Sequence, residues 1–60
     1  MATRLFTRDE AAEYLRVDPR TLDRYIRSGR LKAHRIAGLR TLRIFESDLD
    51  ALLVPVEPES

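Results

Sequence analysis

The 60-residue chain has no cysteine and one histidine, His34. Disulfide staples and thiolate metal sites are therefore excluded, and a zinc site would need three carboxylates beside that lone imidazole. Apolar runs are short. The longest, Ala51-Leu52-Leu53-Val54, falls far below what a signal peptide or a membrane span needs, so a cytoplasmic chain is expected. With no Cys/His pair, no phosphate-cradling glycine loop and too little chain for a cleft-sized core, no enzyme is expected and no cofactor is called for. Asp48 and Asp50 could suggest a carboxylate pair, but acids belong at a helix N-terminus on electrostatic grounds alone. Four dispersed aromatics, Phe6, Tyr14, Tyr25 and Phe45, do not make a stacking platform for single strands. A domain this small needs them in its core.

What the chain does have is charge, and the charge is segregated. The net value of +1 hides nine basic against two acidic residues from Arg16 to Arg43, a balance of +7. From Glu46 to the end there are five acids and no base. Solvation alone would mix the signs. Such a distribution marks a basic face.

Local signals place this face on a helix. Thr7 with Glu10 three residues later fits a capping box, and Ala11, Ala12 and Leu15 supply the apolar stripe of a first helix ending near Leu15. After the tight connection Arg16-Val17, Asp18 is a good N-cap and Pro19 suits the first helical position. A second helix should run to about Ser28 and close at Gly29. At about 100° per residue, Leu22, Tyr25 and Ile26 share one side, while Arg20, Arg24 and Arg27 lie within about 60° of one another on the other. Three like charges at i, i+4 and i+7 repel. Asp23 is the one acid on that helix after its cap, and it cannot neutralise three arginines. A polyanion would supply the missing charge.

Beyond Leu31, residues 32–36 and 42–45 flank Ala37-Gly38-Leu39-Arg40-Thr41, the pattern of a β-hairpin. Ser47 then looks like the cap of a short third helix carrying Leu49, Leu52 and Leu53. Residues 54–60, with two prolines and two acids, should be extended or disordered. The expected architecture is α+β, mostly α: a small winged helix-turn-helix with a two-stranded wing and a short C-terminal helix over residues 1–53, followed by an acidic tail. In that order of elements the second helix enters the major groove of double-stranded DNA and the hairpin reaches a neighbouring groove or phosphate strand.

Several stretches also resemble a known family. Phe6-Thr7-Arg8-Asp9-Glu10-Ala11-Ala12-Glu13-Tyr14-Leu15 is similar to the "LT-x-x-E-A-A-x-x-L" opening of the excisionase-like, MerR-related DNA-binding domains. Val17-Asp18-Pro19-Arg20-Thr21-Leu22 resembles their "V-S-x-x-T-[VIL]", with Asp18 in place of the serine cap. Gly29-Arg30-Leu31-Lys32-Ala33 matches "G-x-L-x-A", and Arg43-Ile44-Phe45 with Ser47-Asp48-Leu49 matches "R-[IF]-x-x-x-D-L". The resemblance spans about residues 5–53. It implies a non-catalytic recombination directionality factor of a phage or mobile element, bound in several copies to attachment-site DNA in a bacterial host, bending it and directing integrase toward excision. It also implies DNA contact by Arg20, Thr21 and Arg24 on the second helix and by Arg40 at the wing tip, where Leu39 departs from the polar residue expected there.

From the residues themselves, Arg27 and Arg16 are further phosphate candidates. Arg43 is either a DNA contact or an ion-pair partner of Glu13 or Asp48. MerR-type activators add a long coiled-coil helix that has no counterpart after Leu53. A stand-alone transcriptional regulator with the same domain, and a protein-only adaptor that binds an acidic partner, are the alternatives. The acidic end of one copy facing the basic face of the next suggests head-to-tail contacts between copies on DNA.

Overall fold

The capping box expected at Thr7 is formed in the computed structural model, which describes residues 4–58. The Thr7 hydroxyl accepts from the Glu10 backbone N–H at 3.1 Å, and the Glu10 carboxylate accepts from the Thr7 N–H at 2.9 Å. Thr7 holds the Glu10 carboxyl below its ordinary pKa, chiefly through its backbone N–H and secondly through its side chain. Helix α1 runs Arg8–Leu15, with Asp9 and Glu10 in the first turn where the helix dipole favours acids. Ala11 and Ala12 are fully buried. Lacking bulk, they let helix α2, Pro19–Arg27, approach closely. Asp18 caps α2 by accepting from the Arg20 N–H at 2.8 Å.

Both helices end in the same hydrogen-bonded device. The N–H of Val17 reaches back to the Ala12 carbonyl and that of Arg16 to Glu13; after α2, Arg30 reaches Tyr25 and Gly29 reaches Ile26. These are Schellman motifs, each turning on one left-handed residue. For α2 that residue is Gly29, at φ 81°; for α1 it is Arg16, at φ 55°. Arg16 is the only non-glycine residue with positive φ among those described.

Strands β1 (Leu5–Phe6), β2 (His34–Arg35) and β3 (Leu42–Phe45) form a three-stranded antiparallel sheet in the order β1-β3-β2. The wing is therefore not a free two-stranded hairpin. Leu5 pairs with Phe45 and Phe6 with Ile44, so the residues just before α1 form an edge strand. The first wing strand is shorter than residues 32–36, pairing only His34 with Arg43 and Arg35 with Leu42.

Helix α3 spans Glu46–Asp50 and follows β3 without a linker. It begins earlier than the Ser47 cap predicts because the Glu46 N–H already has a partner, the Arg4 carbonyl at 2.8 Å. It also ends earlier: Leu52 and Leu53 are held by tighter i→i−3 bonds to Leu49 and Asp50. No regular structure follows through Pro58, and Val54 and Val56 are exposed.

The core consists of Phe6, Ala11, Ala12, Leu22, Leu31, Ile44 and Leu49, with Leu15, Tyr25, Ile26, Ala33 and Leu52 packed around it. Tyr14, expected inside, is instead exposed on one edge. Its ring lies 5.2 Å from Phe6 and its hydroxyl donates to Asp50 at 2.6 Å, tying α1 to α3. That bond, with desolvation second, raises the phenol's pKa. Phe45 is half-buried, and the exposed His34 sets its ring edge-on against it at 5.1 Å.

Candidate nucleic-acid interface

Burying Leu22, Tyr25 and Ile26 leaves the opposite face of α2 to solvent, and Arg20, Arg24 and Arg27 are all exposed there. Together with Asp23 they line one open groove. Asp23 is already committed elsewhere. Its two carboxylate oxygens accept from Nε and Nη2 of Arg8, each at 2.7 Å, a bidentate pair between α1 and α2. Arg8 holds the Asp23 carboxyl below its ordinary pKa, chiefly through that hydrogen bond, and the Arg27 charge adds in the same direction. Among the described residues, none of Arg20, Arg24 and Arg27 has a carboxylate within ion-pair distance.

Arg8 also connects α2 to the wing. With Thr7 and Asp9 it lines a second open groove whose far wall is Arg40, Thr41, Leu42 and Arg43. Arg8 at the start of α1 thus borders the wing groove and, through Asp23, is bonded to the residue that lines the α2 groove beside Arg20, Arg24 and Arg27. Sequence reasoning assigned Arg8 no role of its own and missed this bridging one. The available signal was Asp23 itself: on the helical wheel it sits at the edge of the arginine stripe, turned toward another element.

The remaining candidates are more dispersed. Thr21 is half-buried on the flank of α2. Arg16 is exposed at the turn between the helices, where a non-glycine residue held in a left-handed conformation is under backbone strain. Arg40 is exposed just past the wing turn. Arg43 is half-buried and donates from Nη1 to the Leu42 carbonyl at 2.8 Å. It pairs with neither Glu13 nor Asp48; its charge contributes slightly to lowering the Glu10 pKa. From Arg24 to Phe45 there are seven basic residues and no acid, so positive charge dominates this stretch, and the acids that border its two grooves are Asp23, already paired with Arg8, and Asp9.

Among the described residues no cluster of His, Asp or Glu could hold a metal ion. No helix there is long and apolar enough to cross a membrane.

Two comparisons with known proteins agree with this geometry. A family model described as a helix-turn-helix domain matches residues 5–53. A protein of Mycobacterium phage D29 described as an excisionase is 40% identical over 47 residues, which cover 78% of this chain and 82% of that protein.

Proposed function

Because the chain belongs to the helix-turn-helix domain family, we propose that it acts as an excisionase, binding attachment-site DNA through α2 and the wing and bending it so that integrase works toward excision. The observation that carries this reading is the row of Arg20, Arg24 and Arg27, exposed and without a carboxylate partner among the described residues while the nearby Asp23 is engaged by Arg8. In the proposed complex α2 lies in the major groove. Arg20, Thr21 and Arg24 meet base edges and nearby phosphates; Arg27 and Arg16 meet phosphate. Arg40 and Arg43 extend the contact along the wing. The role is one of binding and shaping, with no bond made or broken, on DNA in the cytoplasm of a bacterial host.

Several copies acting side by side would suit the segregated charge. The acidic end of one copy meets basic residues of its neighbour away from the arginine row of α2, Arg30 among them, with the groove between Leu15, Val17, Tyr25, Arg30, Leu52 and Leu53 as the seat for Val54 and Val56 of the next chain.

The test is fluorescence anisotropy of a random-sequence duplex titrated with the protein at several salt concentrations. Phosphate engagement by six arginines gives a log–log slope near about −5, roughly a thousand-fold loss of affinity from about 50 to about 200 mM salt. Weak binding at low salt, or a slope shallower than about −2, would remove the basic face as a DNA-binding surface.

A further inference from the structure

The tip of the wing breaks the polar character of the basic face. Residues 36–39 form a tight turn in which the Leu39 N–H donates to the Ile36 carbonyl at 2.9 Å. Gly38, at φ 84°, takes the left-handed position, and positive φ confined to the third residue is the geometry of a type II turn. The two ends of this turn are apolar and exposed, Ile36 at 43% and Leu39 at 55%. Leu39 belongs neither to the buried core nor to the half-buried shell around it. A single exposed leucine is ordinary on a protein surface. This one closes an exposed turn in a segment that carries no acid, with Arg35 before the turn and Arg40 directly after it.

A tip that served only to touch phosphate would need hydrogen-bond donors. An alkyl group between two cations answers a different requirement. Proteins that kink DNA from the minor groove bring cations to the phosphates lining it and push an apolar side chain between two base pairs, where only an unsolvated group gains by replacing a stacking partner. Resting on the DNA-binding reading above, we propose that Leu39 is such a wedge, entering a base-pair step in the minor groove next to the site held by α2 and kinking the duplex there. Ile36, at the other end of the turn, backs it as an apolar collar. Arg35 and Arg40 hold the phosphates on either side. The turn is short and hydrogen-bonded, so the side chain is presented on a stiff support. Bending then originates at one step chosen by the wing, and sequences that unstack easily at that step are favoured without any base-edge hydrogen bond.

The experiment uses a duplex selected by the wild-type chain from a random-sequence pool, with donor and acceptor dyes at its ends. A second series places a single T·T mismatch at successive steps of the same duplex. The wild-type chain is expected to bend the duplex by about 20–90°. It should bind about tenfold more tightly when the mismatch falls at one particular step, because unstacking there is already accomplished. Leu39→Ser, which removes no core contact, should still bind while losing most of the bend and the mismatch preference; Leu39→Met should keep both. A Leu39→Ser variant that bends DNA as the wild type does would overturn the wedge, as would a wild-type chain that binds without bending. Failure of the wild-type chain to bind any duplex at low salt would overturn the DNA-binding reading, and the wedge with it.

Discussion

Replacing Arg16 by glycine should raise stability and lower DNA affinity together. Arg16 occupies the left-handed position of the first Schellman motif, where Gly29 serves in the second. An L-residue there carries about 1–2 kcal/mol of strain. Glycine removes it but surrenders about 0.5–1 kcal/mol through its freer unfolded chain, leaving a net gain of about 0.5–1 kcal/mol. Unfolding entropy of about 2.1 cal/mol/K per residue over 60 residues is about 0.13 kcal/mol/K, so the thermal midpoint should rise by roughly 4–8 °C. Arg16→Asn, which tolerates the same conformation less well than glycine, should fall between the two. Melting followed by circular dichroism reads the first effect; the anisotropy titration reads the second, as a salt slope shallower by about 0.9 for one lost phosphate contact. A midpoint that is unchanged or lower in Arg16→Gly would refute the strain argument. An unchanged slope would take Arg16 out of the interface.

Three further outcomes are expected. Arg24→Ala should weaken binding by about 1–3 kcal/mol if the guanidinium reads a base; because Arg24 is exposed, its melting curve should match that of the wild type, and an unfolded variant would contradict the placement. Asp23 and Glu10 both have lowered carboxyl pKa values in the folded chain, so the stability they supply is present in full above the ordinary carboxylate range, about 4, and is lost as pH falls through their lower folded values; melts across that window should show the loss, and Asp23→Asn should show less of it. Deleting residues 54–60 should abolish cooperativity on DNA carrying several adjacent sites while leaving affinity for one site intact, and unchanged cooperativity would dismiss the head-to-tail contact.

The helices were legible in the sequence because their signals are local. Thr7 and Glu10, Asp18 and Pro19, and Gly29 all act within a few residues of where they stand, and the stripe of Leu22, Tyr25 and Ile26 follows from helical geometry alone. The errors concern partners that are remote in the chain. Nothing within Leu5–Phe6 announces that its mate lies about forty residues away in β3. The start of α3 was misplaced because a serine followed by acids imitates a cap, while the donor at Glu46 is satisfied by Arg4 from across the sheet. At the interface, the face holding Arg20, Arg24 and Arg27 could be read from periodicity. The pair that commits Asp23, with Arg8 fifteen residues earlier, could not.

The pairing of Leu5 with Phe45 also bears on how the molecule can be destroyed. Strand β3 carries Ile44 into the core and leads straight into α3, which carries Leu49. The wing loop is thus the exposed middle of a chain whose two ends are needed to fix α2. A protease cutting after Arg35 or Arg40, both exposed, would sever β3 and α3 from the helix-turn-helix. The two fragments would then be held together only by the contacts of a small core, without the effective concentration that covalent linkage provides. One nick at the DNA-seeking tip would disable recognition helix and wing together, and DNA that covers the tip would shield the whole fold from digestion.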